Sequence, residues 1–137
     1  MSNVFVFNTT DLNHEVPEPG YYPATITSVR IRTSYQGNQM LHVVFMLQDV
    51  PEGYQRVSDY FVLEGASSSG VATARRRLVR LCRACGLEPY IGDEIPVKSL
   101  RHSQLQVRIV HDQYQGEVRL KVVAYRLLAP GQSSNSL

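Results

Sequence analysis

Apolar and polar residues alternate through much of residues 21–63, and this alternation constrains the fold more than any other feature of the chain. Successive side chains of a β-strand point to opposite faces, so the pattern predicts three half-buried antiparallel strands. A polar, glycine-bearing turn, YQGN, follows the first strand, and a short loop precedes the third strand, RVSDYFVL. The rest of the chain must therefore cover the apolar face of this sheet.

The first strand changes face part of the way along. Ala24 and Ile26 share one face, whereas Val29 and Ile31 fall on the other. Because a period of two cannot change parity without an inserted residue, we expect a β-bulge or a sharp bend near residues 27–28. Bent strands allow small barrels to turn corners, so this defect favours a barrel.

The second strand, QMLHVVFMLQDV, divides into two faces. The residues predicted to be buried are Leu41, Val43, Phe45 and Leu47. The opposite face is made of Met40, His42, Val44 and Met46. That second face is unusually apolar for a surface that meets solvent, which indicates that it is covered or that it binds a partner.

The third strand carries an anomaly at Asp59. The inward set is predicted to be Val57, Phe61 and Leu63, and the outward set Arg56, Ser58 and Tyr60. Asp59 has the parity of the inward set. Because a buried carboxylate is costly without a partner, we expect Asp59 to lie at the rim of the core or to accept backbone N–H bonds.

Residues 66–87 predict a long helix. A serine among residues 67–69 caps its start, and Gly86 followed by Leu87 is typical of a Schellman-type end. Helical spacing places one apolar stripe at Val71, Ala74, Leu78, Leu81, Cys82 and Cys85. Away from this stripe lie Arg75, Arg76, Arg80 and Arg83. We interpret these arginines as a solvated basic face, with phosphate binding or a protein contact as the alternative.

The segments QLQVRIVHDQY and EVRLKVVAYRLL predict a β-hairpin around Gln115 and Gly116. The side chains expected to face inward are Leu105, Val107, Ile109, Val118, Leu120, Val122 and Ala124. The outward set includes Arg108, Arg119 and Lys121. Arg30, Arg32 and Arg56 are also predicted to point outward, and Glu117 is the only acid predicted on the outward side of the strands. Charged residues of either sign prefer solvent, so that preference alone does not explain this excess of positive over negative charge.

Three strands, a helix and a hairpin predict a mainly β fold, a five-stranded OB-fold Greek-key barrel with one α-helix between strands 3 and 4. The alternative is an open α+β sandwich with the helix on one face of the sheet. The expected divisions are a lead-in segment at 1–20, the OB-fold domain at 21–128 and a flexible polar tail at 129–137. Within the lead-in, the apolar run at 4–7 fits either an extra edge strand or a clip over the barrel.

Composition excludes several classes of function. The chain has 137 residues and a net charge of +2, and no stretch is apolar enough to cross a membrane. A single CRAC pair, scattered acids and four unpatterned histidines give no metal site, and neither a P-loop nor a GxSxG motif occurs. We expect a soluble, cytoplasmic, non-enzymatic protein without cofactor or metal, and we interpret Cys82 and Cys85 as small buried hydrophobic residues.

An OB-fold binds oligonucleotides or oligosaccharides across strands 2 and 3, between the loops that follow strands 1 and 4. Aromatic rings there stack on bases, and cations follow the phosphates. The two flanking loops are predicted at 35–38 and 112–116, and each contains a tyrosine close to a glycine. The candidate nucleic-acid-binding residues are Arg30, Arg32, Tyr35, Gln36, Asn38, His42, Arg56, Tyr60, Arg108, Tyr114 and Lys121.

The segments PEPGYYPATI, TSYQGNQMLHVVF, VSDYFVL, LCRACGL and VRIVHDQYQGEVRLKVVAY together resemble a bacteriophage and prophage family of small OB-fold proteins. Its members are often encoded beside recombination or replication genes and are regarded as single-stranded DNA-binding proteins. The resemblance implies binding to single-stranded DNA during phage replication or recombination in the bacterial host cytoplasm, with phage recombination or replication proteins as partners. It marks residues 34–38, 59–61 and 114–116 as important. The acidic C-terminal tail of many single-strand binding proteins is absent from GQSSNSL.

One alternative function remains open at this stage. The outward face of Met40, Val44 and Met46 fits a subunit interface, which would make the chain a protein-interaction or assembly module that does not bind nucleic acid. His42 and Met46 then belong either to the floor of a binding groove or to that interface. A homodimer is compatible with both functions.

Overall fold

The computed structural model describes residues 16–65, 67–87 and 97–128, and these ranges contain five strands and two helices. The strands are β1 (Gly20–Thr33), β2 (Gln39–Leu47), β3 (Arg56–Glu64), β4 (Gln104–Tyr114) and β5 (Glu117–Arg126). Helix α1 is Ser68–Ala84, and the single helical turn α2 is Val97–Leu100. The fold is therefore mainly β, with the predicted helix between β3 and β4. The predicted apolar run at 4–7 and the polar tail lie outside the described residues.

All five strands belong to one antiparallel sheet in the order β3-β2-β1-β4-β5. The long strand β1 is shared by both halves of the sheet, because its second half pairs with β2 and its first half with β4. Ala24, near the middle, pairs with Leu47 on one side and with Leu105 on the other. The register of β1 against β2 shifts between Ile26 and Ser28, so the bulge predicted from the parity change is confirmed.

The sheet curls until its two edge strands touch. In a flat sheet β3 and β5 would lie about 19 Å apart, four strand spacings of about 4.8 Å. Instead, the Tyr125 hydroxyl donates a hydrogen bond to the Asp59 carboxylate, and the Tyr125 ring lies 5.8 Å from Phe45 and 6.3 Å from Phe61. No backbone pairing joins β3 to β5, although the structure describes both strands in full, so the sheet is curled but not closed.

The core fills the inside of this curl, and α1 packs against it. The largest side chains that are fully buried belong to Phe45, Phe61, Ile26, Leu41, Leu47, Leu81, Leu100, Leu105 and Ile109. The buried set predicted for β2 is confirmed. From α1, the buried residues are Ala74, Leu78, Leu81, Cys82 and Ala84. Helix α1 thus supplies one apolar stripe to the core and leaves its other side to solvent.

Both predicted ends of α1 are confirmed. The Ser67 hydroxyl accepts the Gly70 N–H at 3.1 Å, which caps the helix. At the other end Gly86 has a φ of +81°, and the Leu87 N–H donates to the Cys82 carbonyl at 2.8 Å. This is the six-to-one bond of a Schellman motif, for which the left-handed conformation of glycine is needed. Cys82 is buried, and burial raises the pKa of the Cys85 thiol to about 12, as expected for inert packing residues.

Three predicted core positions are wrong, each for a local reason. Ile31 is 61% exposed, because β4 pairs only with the first part of β1 and leaves the later part with a neighbour on one side. Val118 is 41% exposed, because the tip of the β4–β5 hairpin extends beyond the start of β1. Ala124 pairs with outward-facing Arg108, because a second register shift skips Val123 and turns Tyr125 toward the core instead.

Candidate nucleic-acid interface

Four cross-strand rows on the outward surface of β1, β2 and β3 are here called the β1–β3 face. These rows are Arg32–Met40–Val62, Arg30–His42–Tyr60, Ser28–Val44–Ser58 and Thr25–Met46–Arg56. Glu64, exposed and opposite Gln39 at the end of β3, lies just beyond the first of them. Residues paired across neighbouring strands have Cβ atoms about 5 Å apart, so each row is a set of direct neighbours. The structure therefore brings Arg30, Arg32 and Arg56 onto one surface with Tyr60, and no acidic residue belongs to any of the four rows.

His42 and Tyr60 form an aromatic stack at the centre of this face. Their ring centroids are 4.3 Å apart, and the two planes differ by only 4°. His42 is 8% exposed, whereas Tyr60 remains 45% exposed. Tyr60 thus covers His42 and still presents aromatic surface to solvent. A planar base can stack on such a surface, since stacking requires only an accessible ring.

The pKa of His42 is affected by burial and by the three arginines of the β1–β3 face. Burial lowers the pKa of His42, and the charges of Arg32, Arg56 and Arg30 lower it further. All three guanidinium groups are therefore near enough to disfavour one more positive charge at the floor of the face. The same field attracts an anion, so a phosphate on this face would interact with the three guanidinium groups.

The tight turn at residues 34–38 lies immediately after the end of β1. The Ser34 N–H donates to the Asn38 carbonyl at 2.8 Å, and the Asn38 N–H donates to the Ser34 hydroxyl at 2.9 Å. Gly37 adopts a φ of +88° within it. Tyr35 and Gln36 at its tip are exposed, and Tyr35 contacts nothing that would bury it. These two predicted site residues are available for binding.

Asn38, by contrast, has a structural role that the sequence did not reveal. It is half-buried, and a Cβ placed on Gly65 would lie 2.7 Å from the Asn38 Oδ1 atom. The Asn38 side chain therefore packs directly on the backbone where β3 ends. This contact fixes the turn relative to β3, so Asn38 supports the position of Tyr35 and Gln36.

The predicted residues on the β4–β5 hairpin are not grouped with the others. Arg108 pairs with Tyr21, nine residues before Arg30 on β1, which corresponds to roughly 30 Å along the strand. Lys121 differs, because the curl of the sheet brings it to a cleft shared with Ser58 at the edge of the β1–β3 face. Tyr114 is the last residue of β4. Of Arg108 and Lys121, only Lys121 adjoins the β1–β3 face.

The loop predicted at 112–116 is also wrong. Strand β4 continues to Tyr114, and the connection is a two-residue turn in which Gln115 and Gly116 have φ values of +52° and +82°. Such a turn matches the twist of the flanking strands, so no long loop forms. Asp112 is consequently a strand residue, exposed and opposite Arg119. Glu117 is therefore not the only acid on the outward side of this hairpin.

Two networks of side-chain contacts, one around Arg126 and one around Asp59, were not predicted from the sequence. On the outward side of β1, β4 and β5, the Arg126 guanidinium lies 3.8 Å from the centre of the Tyr21 ring, and its Nε atom donates to Gln106 at 2.6 Å. The shifted parity of β5 hid this arrangement, because Arg126 takes its outward position only after the skipped Val123.

The second network satisfies Asp59. Its Oδ1 atom accepts the Tyr60 N–H at 2.8 Å, and its Oδ2 atom accepts the Arg77 guanidinium and the Tyr125 hydroxyl. Burial, and then the charge of Asp59, raise the pKa of Tyr125 far above its ordinary value, so its hydroxyl remains a donor. Arg77 also donates to the Tyr60 carbonyl at 3.3 Å and stacks on Phe61 at 4.6 Å. Asp59 thus joins β3, β5 and α1, and the expectation that it accepts a backbone N–H is confirmed.

These features define a mainly β protein, whose curled antiparallel sheet carries a cationic and aromatic outward face. No protein-family model matches the chain, and no curated protein matches it either. Neither described helix is both long enough and apolar enough to span a membrane. Within the described ranges, no group of three histidine, cysteine, aspartate or glutamate side chains is arranged to hold a metal ion.

Proposed function

We propose that this chain is a non-catalytic single-stranded DNA-binding protein built on an OB-type barrel. The observation that supports this most directly is the β1–β3 face, where three exposed arginines surround a stacked histidine and tyrosine without any acid in the rows. Cations there interact with phosphates, and Tyr60 stacks on a base. Binding by phosphate contact and stacking is tolerant of sequence, because every base has an aromatic face.

The OB-type assignment has its support in the arrangement of the elements. Strand β1 is bent at its bulge and shared by both halves of the sheet, α1 lies between β3 and β4, and the edge strands touch through Asp59 and Tyr125. An OB-fold binds its ligand across strands 2 and 3. These are the strands that carry His42, Tyr60 and Arg56 here.

Single-stranded DNA fits this face better than duplex does. In a duplex the bases are stacked on one another, and their faces are inaccessible to a protein aromatic residue. Tyr60 projects from the outward side of the edge strand β3, and Tyr35 from the turn after β1, and both rings are exposed to an unstacked base. The resemblance to phage single-strand binding proteins supports a role in phage replication or recombination inside the bacterial host, alongside phage replication or recombination proteins.

The alternative, an assembly module that uses the apolar part of this face, has less support. Val44 is only 3% exposed, Met40 is half-buried, and Met46 is 37% exposed. The contiguous apolar surface predicted from the sequence is therefore largely covered by neighbouring side chains. A homodimer formed elsewhere on the molecule remains compatible with binding to single-stranded DNA.

The test compares two variants that each remove two exposed positive charges. R30Q/R56Q acts on the β1–β3 face, and K98Q/R101Q acts at and after α2, outside the four rows of that face. Each phosphate contact contributes about −0.7 to the slope of log affinity against log salt for single strands. We expect R30Q/R56Q to reduce the magnitude of the slope for oligodeoxythymidine by about 1.4 and K98Q/R101Q to leave it unchanged. Equal slopes for the two variants would contradict binding at this face.

A further inference from the structure

The exposed side of helix α1 is the most concentrated basic surface outside the β1–β3 face. Its 17 residues include five arginines, and they contain no acid, lysine or aromatic residue. Arg77 forms an ion pair with Asp59, and the side chains of the other four arginines are exposed. A shallow groove on this side is lined by Arg75, Arg76, Val79, Arg80 and Arg83. The helix thus presents guanidinium groups around one small apolar residue.

This arrangement opposes helix stability. Arg76 and Arg80 are four residues apart, and like charges at that spacing destabilise a helix by roughly 0.2–0.5 kcal/mol. No acid within α1 offsets them, and its first turn contains none. Ordinary solvated helix faces mix charges of both signs, which would avoid this repulsion. A ligand with negative charges would remove it.

Arg77 shows how this side of the helix lies relative to the β1–β3 face. Its guanidinium bonds to the Tyr60 carbonyl and to Asp59, at the edge of β3, whose Tyr60 side chain belongs to the face. Successive residues of a helix are rotated by roughly 100° about its axis. Viewed along that axis, Arg80 lies about 60° and Arg76 about 100° from Arg77, both on the side away from the buried stripe. Lys121 and Arg77 line the cleft at this edge of the face, and Arg80 and Arg76 lie beyond Arg77 on the helix.

We propose that single-stranded DNA bound on the β1–β3 face crosses the β3 edge and continues along Arg76 and Arg80 of α1. This rests on the proposed function and extends its binding site to a second surface. Since α1 has no aromatic residue, it contacts the phosphates and leaves the bases free. The planar guanidinium group suits that task, because it binds two phosphate oxygens at once. Arg76 and Arg80 are separated by about 6 Å along the helix axis.

The experiment measures binding of labelled oligodeoxythymidines of two lengths, about 8 and about 24 nucleotides, by fluorescence anisotropy. The variant R76Q/R80Q removes two exposed helix charges, and K98Q/R101Q is the matched control. Glutamine is a good helix former, so α1 should remain intact, which circular dichroism verifies. If the double variant does not fold, R80Q alone serves with half of the expected change in salt slope.

We expect R76Q/R80Q to bind the short oligonucleotide as the wild type does and the long one more weakly. Its salt slope for the long one should be shallower by about 1.4, so the ratio of wild-type to variant affinity should shrink about sevenfold between about 50 and about 200 mM salt. Equal affinity of R76Q/R80Q and K98Q/R101Q for the long oligonucleotide would overturn the proposal for α1. If R30Q/R56Q still bound both oligonucleotides more weakly than the wild type does, the proposed function would stand. A wild type that bound neither length would instead contradict the proposed function itself.

Discussion

Replacing Asp59 by asparagine tests the network that joins the two edge strands to α1. D59N preserves the shape of the side chain and the acceptor for the Tyr60 N–H, but it leaves Arg77 without its counter-charge. Breaking a fully buried ion pair costs about 3–5 kcal/mol, and breaking an exposed one about 0.2–1 kcal/mol. The side chains of Asp59 and Arg77 are 16% and 35% exposed, so the pair is intermediate. We expect a loss of about 2–3 kcal/mol in the free energy of unfolding.

Urea denaturation followed by circular dichroism measures this loss. With an m-value of about 1.5 kcal/mol per molar, the midpoint should fall by about 1.3–2 M. The control is E52Q, which removes an equal charge from an exposed loop residue and should change stability by less than about 0.5 kcal/mol. A companion variant, Y125F, removes one hydrogen bond to the same carboxylate. Because both changes disrupt one network, their combined effect should be smaller than the sum. A D59N midpoint equal to that of E52Q would show that the Asp59 network does not stabilise the fold.

Two further predictions concern His42 and Gly65. Because the pKa of His42 is lowered in the folded state, the unfolded chain binds a proton more readily below pH 6.5. Stability should therefore fall as pH decreases below that value, and H42Q should lose less stability than the wild type between pH 7.5 and pH 5.5; an identical loss in both would contradict this. Gly65 and Gly53 both have positive φ, but only a Cβ at Gly65 meets another atom, the Asn38 Oδ1. G65A should be less stable than G53A in urea by about 1 kcal/mol or more, and equal stability would exclude the Asn38 contact as significant.

Features fixed by local patterns were predictable from the sequence. The bulge in β1 follows from the parity change between Ile26 and Val29, and the helix ends follow from Ser67 and Gly86. The outward-facing residues of β2 and β3 also follow, because both strands keep a regular period of two from Met40 to Met46 and from Arg56 to Val62. These features depend on neighbours in the chain, so one sequence contains all the information they require.

Features that depend on contacts between distant elements were not predictable. The second bulge lies in a run of apolar residues, Val122 to Tyr125, where alternation cannot reveal a change of parity. Three consecutive arginines occupy 75–77, and only the curl of the sheet determines that Arg77 is the one that meets Asp59. The sequence indicated that Asp59 needs a partner, but the identity of that partner is a property of the tertiary fold.

Binding of single-stranded DNA on the β1–β3 face can be tested by one anisotropy measurement. Labelled oligodeoxythymidine and a duplex of equal length are titrated with the wild-type protein at about 50 and about 200 mM salt. Contacts from Arg30, Arg32 and Arg56 alone correspond to a slope of about −2, so affinity for the single strand should fall about 20-fold between these concentrations. We expect this fall together with tighter binding to the single strand than to the duplex at both concentrations. Binding to the duplex as tightly as to the single strand, or affinity that does not change with salt, would contradict it.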